Sequence, residues 1–171
     1  PVRRRIHPFP TIGMACRLAE RKGILEFVRI AASVARQLPG SRFRLAGQGP
    51  MREPAQALAR DLGVTIEFVG HVQDMKAFWS SLDMALFTSE IESFGLTILE
   101  AQAMGLPVVA FANGTGSDEV VVHDRTGVLV PWDDIEAAAR AVVDLWGDPS
   151  RRTRFQAAAI ERIRQQFTIE R

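Results

Sequence analysis

Glu92 and Glu100 stand with seven residues between them, around the turn Phe94-Gly95-Leu96, directly after the apolar run Met84 to Thr88 and at the start of a helical pattern. A helix opening near Gly95 aims unpaired N–H groups and its positive dipole end outward, an arrangement that attracts an anion, most commonly phosphate. Gly95 carries no side chain, so a ligand can approach its main chain closely. Carboxylates repel phosphate, so the two glutamates make chemical sense as acceptors for hydroxyl groups on the same ligand. Phosphate plus several hydroxyls describes a nucleotide joined to a sugar. Acidic residues also favour the first turn of a helix for structural reasons alone, so the neighbouring loops have to decide between the two readings.

The elements that must position this pair form a regular series. Strand-like runs are expected at Thr11 to Cys16, Phe43 to Ala46, Thr65 to Val69, Met84 to Phe87, Pro107 to Phe111 and Val128 to Val130. Between them lie helical patterns from about Ile24 to Leu38, Met51 to Leu62, Asp74 to Leu82 and Leu96 to Met104, with a turn near Ser117 to Val121. Two helices follow, from about Asp133 to Trp146 and from Pro149 to Phe167, the second with Asp148 as N-cap and proline in the first turn. Parallel neighbours need a crossover, so this alternation implies an α/β Rossmann-like doubly wound parallel sheet with helices on both faces. In such a sheet the loops that follow the strands converge on one edge.

Those loops carry further candidates. After the first strand, Arg17 and Lys22 stand at the rim before a helix, where both can neutralise a diphosphate. Gly47-Gln48-Gly49-Pro50 lacks the third glycine of a dinucleotide fingerprint and follows the wrong strand for one, which leaves it as a helix-start turn. Gly70-His71-Val72 offers backbone groups to the edge of a nucleobase, although a single histidine such as His71 more often makes a structural hydrogen bond. Asn113-Gly114-Thr115-Gly116-Ser117 is rich in backbone donors, and its glycines also suit a plain turn.

Composition narrows the classes. A net charge of +1 provides no field to recruit nucleic acid or an anionic membrane. One cysteine excludes an internal disulfide, three scattered histidines form no metal-ligand spacing, and Cys16 reads as a small core residue at a strand end. With no signal peptide and no apolar stretch of spanning length, a cytoplasmic chain is expected, with membrane contact only through parts outside it.

The loops in this order resemble the nucleotide-sugar-binding, C-terminal half of a GT-B retaining glycosyltransferase of glycosyltransferase family 4, the glycosyl transferases group 1. The segment TSEIESFGLTILEAQAMGLPVVA looks like the family's Glu-x7-Glu element followed by its Gly-x-Pro-Val-Val strand, and RLAERKG, LAGQGP, IEFVGHV and TGVLVP support it. The resemblance implies a diphosphate clamp at Arg17 and Lys22, ribose hydroxyls on Glu100, and the transferred sugar facing Glu92. It implies backbone contacts from Ser93, Phe94, Gly95 and Leu96, a base framed by His71 and Val72, and a catalytic set of Arg17, Lys22 and Glu92 without metal or cofactor. The substrate so implied is a UDP- or GDP-sugar. Ser93 stands where the family often has Gly, and Asn113-Gly114-Thr115-Gly116 replaces a commoner Gly-Gly turn.

On the same resemblance, residues 1–10 are expected to be an interdomain linker remnant, with its Arg3-Arg4-Arg5 run in solvent, and 11–171 the donor domain. The acceptor-binding N-terminal domain is expected to be absent, leaving an apolar patch exposed and the isolated chain inactive. For the full-length protein, peripheral attachment at the inner membrane stays open. Two other classes fit a Rossmann-like fold. A nicotinamide oxidoreductase needs Gly-x-Gly-x-x-Gly after the first strand, where Arg17-Leu18-Ala19-Glu20 stands instead. A stand-alone nucleotide-binding module without catalysis remains the alternative.

Overall fold

The computed structural model describes residues 8–167. Six strands form one sheet: β1 (Thr11–Ala15), β2 (Arg42–Ala46), β3 (Ile66–Gly70), β4 (Met84–Phe87), β5 (Val108–Ala112) and β6 (Gly127–Pro131). Every pairing is parallel and the order is β3-β2-β1-β4-β5-β6. The chain therefore winds outward from β1 in one direction, then returns to β4 and winds outward in the other. A topological switch point lies between β1 and β4, where the loops leaving the two strands part and open a crevice.

The helices are α1 (Ile24–Gln37), α2 (Arg52–Asp61), α3 (Met75–Ser80), α4 (Leu96–Ala103), α5 (Gly116–Val120), α6 (Ile135–Gly147) and α7 (Pro149–Gln166). On one face α1 packs against α2 and α6, and on the other α4 packs against α5 and α7. Periodicity explains the faces. In α1, Ile24, Phe27, Val28, Ala31 and Val34 recur at helical spacing, and all are buried. Central β4 has all four residues, Met-Ala-Leu-Phe, buried because both sides of the sheet are covered. Asp74, Asp134 and Asp148 cap α3, α6 and α7 by accepting from the N–H three residues on.

Several expectations need correction. The turn expected near Ser117 to Val121 is a single helical turn, α5, too short for periodicity to reveal. The helix expected from Asp133 starts two residues later, because Asp133 takes a left-handed conformation (φ 60°) and Asp134 is the cap. Cys16 lies one residue beyond β1, half-buried and packed against the core. Pro10 is buried and its carbonyl accepts from Arg42 N–H at 2.9 Å, the bond that opens the β1–β2 ladder at Thr11 and Arg42. Residues 1–7, with the Arg3-Arg4-Arg5 run, and 168–171 lie outside the described residues.

Candidate functional site

Two loops meet across the switch point. The chain leaves β1 through Cys16 to Ala19, makes a 3-10 turn at Glu20–Lys22 and reaches Gly23, which takes a left-handed conformation (φ 64°). That glycine is required by the opposite loop: a Cβ there would stand 1.8 Å from the Thr88 carbonyl oxygen. Thr88, buried at the end of β4, donates its hydroxyl to Gly23 O at 2.7 Å, and Glu90 N–H donates to Arg21 O at 2.9 Å. The β1 and β4 loops are thus tied together beneath the crevice.

Above this tie, Lys22 Nζ donates to Glu92 Oε2 at 2.7 Å, the two side chains being 27% and 14% exposed. Glu92 is held from its other side as well. Its N–H donates to Thr115 Oγ1 at 3.1 Å, at the end of the loop after β5, and its carbonyl accepts from Gly116 N–H at 2.7 Å, at the start of α5. Asn113 Nδ2 donates to Ser89 O at 3.1 Å, so a third loop braces the second.

The chain then passes Ser93 and Phe94, both exposed, to Gly95, whose left-handed backbone (φ 64°) begins α4 with no side chain capping it. The first N–H groups of α4 therefore have no side-chain acceptor from the cap. Phe94 and Leu96 are 74% and 64% exposed and Ile91 is exposed as well, whereas Gly95 between the first two is buried, with a Cβ there 3.1 Å from Gly116 O and from Val120.

A cavity of ≈ 450 Å³ opens beside this helix start, lined by Arg17, Cys16, Gly47, Gln48, His71, Val72, Met75, Thr97 and Glu100 among others. It gathers the loops after β1, β2 and β3 with the first turns of α4. The Arg17 guanidinium has no hydrogen-bond or ion-pair partner among the described residues. Glu100 Oε2 accepts from Trp79 Nε1 at 3.2 Å, which fixes the carboxylate against a buried ring. Burial pushes the Cys16 thiol up to about 12, with nearby Lys22 pulling it down and Glu92 raising it further.

The sequence candidates therefore fall into three sets. Arg17, His71, Val72 and Glu100 line one cavity; Lys22 and Glu92 are joined across the switch point; Ser93, Phe94, Gly95 and Leu96 form the turn into α4 and do not line that cavity. Trp79 and Thr88 carry no such signal in the sequence, and Thr115 stands out there only as part of a donor-rich turn. Trp79 is a buried core residue, and nothing in its sequence neighbours signals the bond to a carboxylate 21 residues on. Among the described residues, no three His, Cys, Asp or Glu side chains form a group that could hold a metal ion. No helix among them is long and apolar enough to cross a membrane.

Residues 9–148 match the family described as Glycosyl transferases group 1. The chain belongs to that family. Among curated relatives, an exopolysaccharide phosphotransferase of Streptomyces coelicolor is 35% identical over 141 residues, 81% of this chain and 15% of that protein. A GDP-mannose-dependent alpha-(1-6)-phosphatidylinositol monomannoside mannosyltransferase of Mycobacterium tuberculosis is 31% identical over 176 residues, 96% of this chain and 46% of that protein. The chain thus spans less than half the length of these relatives. Among solved structures, Anabaena HepE in complex with UDP and glucose superposes with a TM-score of 0.84 at 23% identity, covering 91% of this chain and 44% of that one. That likeness shows the fold, a Rossmann-like half of a GT-B glycosyltransferase.

Proposed function

We propose that this group 1 glycosyltransferase chain is the donor-binding half of a retaining enzyme that moves a sugar from a nucleoside diphosphate sugar to an acceptor hydroxyl. One observation carries the reading. The switch-point crevice holds an unpaired cation, Arg17, and a braced carboxylate, Glu100, in one cavity, with Lys22 and Glu92 beside an uncapped helix start. Arg17, Lys22 and the first N–H groups of α4 would take the diphosphate, Glu100 the ribose hydroxyls, and His71 with Val72 the base. Glu92 would orient the sugar. The relatives named above support a nucleotide-sugar donor, one being GDP-mannose-dependent and one seen with UDP and glucose.

Charge develops on the leaving diphosphate as the anomeric bond breaks. Fixed cations and a helix N-terminus stabilise that charge without reorganising, and such preorganised electrostatics commonly supplies most of the rate enhancement in group transfer. The reading calls for no metal or cofactor. Glu92 and Glu100 sit on opposite sides of a loop and helix start, an arrangement for one extended ligand rather than for two acids flanking a single bond.

The chain alone binds donor or nucleotide with Kd of about 10 μM to 1 mM, since an open half-site leaves much of the ligand in water. It transfers no sugar by itself, because it spans less than half the length of the relatives it matches and its crevice supplies groups for the donor alone. Calorimetry with UDP-, GDP- and ADP-sugars tests binding, and a sugar-release assay tests turnover. Absence of binding across the panel overturns the donor reading; turnover by the chain overturns the division of labour.

A further inference from the structure

The Lys22–Glu92 ion pair places a carboxylate on the cation that a diphosphate would use. The contact is built rather than incidental. Lys22 is the last residue of a 3-10 turn locked to Thr88 through Gly23, and Glu92 is held by Thr115 and Gly116, so neither backbone is free to withdraw. The Nζ–Oε2 distance is 2.7 Å, and both side chains are largely shielded from solvent, which leaves the pair little screened.

The two ligands of the proposed reaction differ in how they meet this pair. A free nucleoside diphosphate ends in a terminal phosphate carrying nearly two charges at neutral pH, as phosphomonoesters with a second pKa near 6 do. It must compete with Glu92 for Lys22 and sit against a carboxylate while doing so. In the sugar conjugate that phosphate is esterified, carries one charge, and presents sugar hydroxyls that can donate to Glu92.

We infer that Glu92, through its ion pair with Lys22, selects the sugar-bearing donor against the free nucleoside diphosphate, so that the pair re-forms as the spent nucleotide leaves. Glu92 is then a specificity-determining residue with two effects of opposite sign. It opposes the terminal phosphate and favours the sugar. The inference rests on the donor-site reading above.

The test is a set of dissociation constants for UDP, UDP-glucose, GDP and GDP-mannose with the 171-residue chain and its variants, measured by calorimetry. In Glu92→Gln the free diphosphates should bind about 3- to 10-fold more tightly, because an amide neither neutralises Lys22 nor repels phosphate. The sugar conjugates should bind no more tightly than to the parent. Glu92→Ala, which removes the side chain without adding a polar group, serves if the amide disturbs folding, and the same reversal is expected. In Lys22→Met, where Glu92 loses its counter-ion, the free diphosphates should lose affinity by a larger factor than the sugar conjugates do, because the uncompensated carboxylate opposes the doubly charged terminal phosphate most. An unchanged ratio of free to conjugated affinity in Glu92→Gln, or a Lys22→Met loss no larger for the free diphosphates than for the conjugates, overturns the inference while leaving the donor site intact. A parent chain that binds none of the four ligands overturns the donor site itself.

Discussion

Three charged residues face the cavity or its border in different states of readiness, and that difference sets what each substitution should do. Arg17 is unpaired, so Arg17→Ala should cost roughly 1–3 kcal/mol of diphosphate binding, the value of a charge-assisted hydrogen bond. Lys22 is paired with Glu92, so Lys22→Ala also leaves that carboxylate uncompensated beside the phosphate and should cost the free diphosphate at least as much as Arg17→Ala does. Calorimetry on the two variants ranks them, and the reverse order would mean that Glu92 does not oppose the phosphate. Glu100 is half-satisfied by Trp79. Glu100→Gln should weaken nucleotide and nucleotide sugar alike by about 1–2 kcal/mol with the thermal midpoint nearly unchanged, whereas Trp79→Phe should also lower stability because the indole is buried. Cys16 titrates in the opposite sense to an active thiol. The folded protein holds its proton up to about 12 while the unfolded chain releases it near 9, so Cys16 withdraws stability as pH rises above about 9. The difference in midpoint between Cys16→Ala and the parent should widen in favour of the variant as pH rises from about 9 to about 10.5. A constant difference across that range would rule out a raised thiol.

At the scale of elements, strands and long helices are legible in the sequence because burial on both faces and helical spacing leave strong apolar patterns. Strand β4 agrees to the residue and α4 to within one. Short elements are not legible. Helix α5 has five residues and begins Gly-Ser-Asp, a run whose side chains equally suit a turn. The Glu92/Glu100 pair stands out by type and spacing, whereas Trp79, Thr88 and Thr115 gain their roles from loops meeting across the switch point, a property of topology that no local pattern carries. Gly23 belongs to the same class. It looks like one more turn glycine, yet its missing side chain lets the β1 loop rest on the Thr88 carbonyl. Gly23→Ala would add left-handed strain of about 1–2 kcal/mol and a Cβ clash with backbone that cannot turn aside. The expected loss exceeds about 2 kcal/mol, read by urea unfolding, with nucleotide binding reduced in the surviving folded fraction.

Across the whole molecule the crevice coincides with the shortest ladder in the sheet. Strands β1 and β4 share two residue pairs, Ile12 with Met84 and Gly13 with Ala85, against five between β1 and β2 and five between β5 and β6. The seam is reinforced by the loops above it, through Thr88 to Gly23, Glu90 to Arg21 and Lys22 to Glu92. A donor bound as proposed would add contacts from both halves of the sheet at once, Arg17 and Lys22 from the β1 side, Gly95 and Glu100 from the β4 side. Binding to the folded state alone stabilises it by mass action, about 2.7 kcal/mol when ligand stands at 100 times Kd. For a chain of this size each kcal/mol moves the midpoint by about 2–4 °C, so saturating nucleotide sugar should raise it by roughly 5–10 °C. Arg17→Ala, measured at the same ligand concentration, should show a smaller rise with its ligand-free midpoint unchanged, because its side chain holds no partner among the described residues. Scanning calorimetry or far-ultraviolet dichroism with and without ligand measures both quantities. A midpoint indifferent to ligand at concentrations where calorimetric titration shows saturation would mean that the donor does not bridge the seam in the native fold.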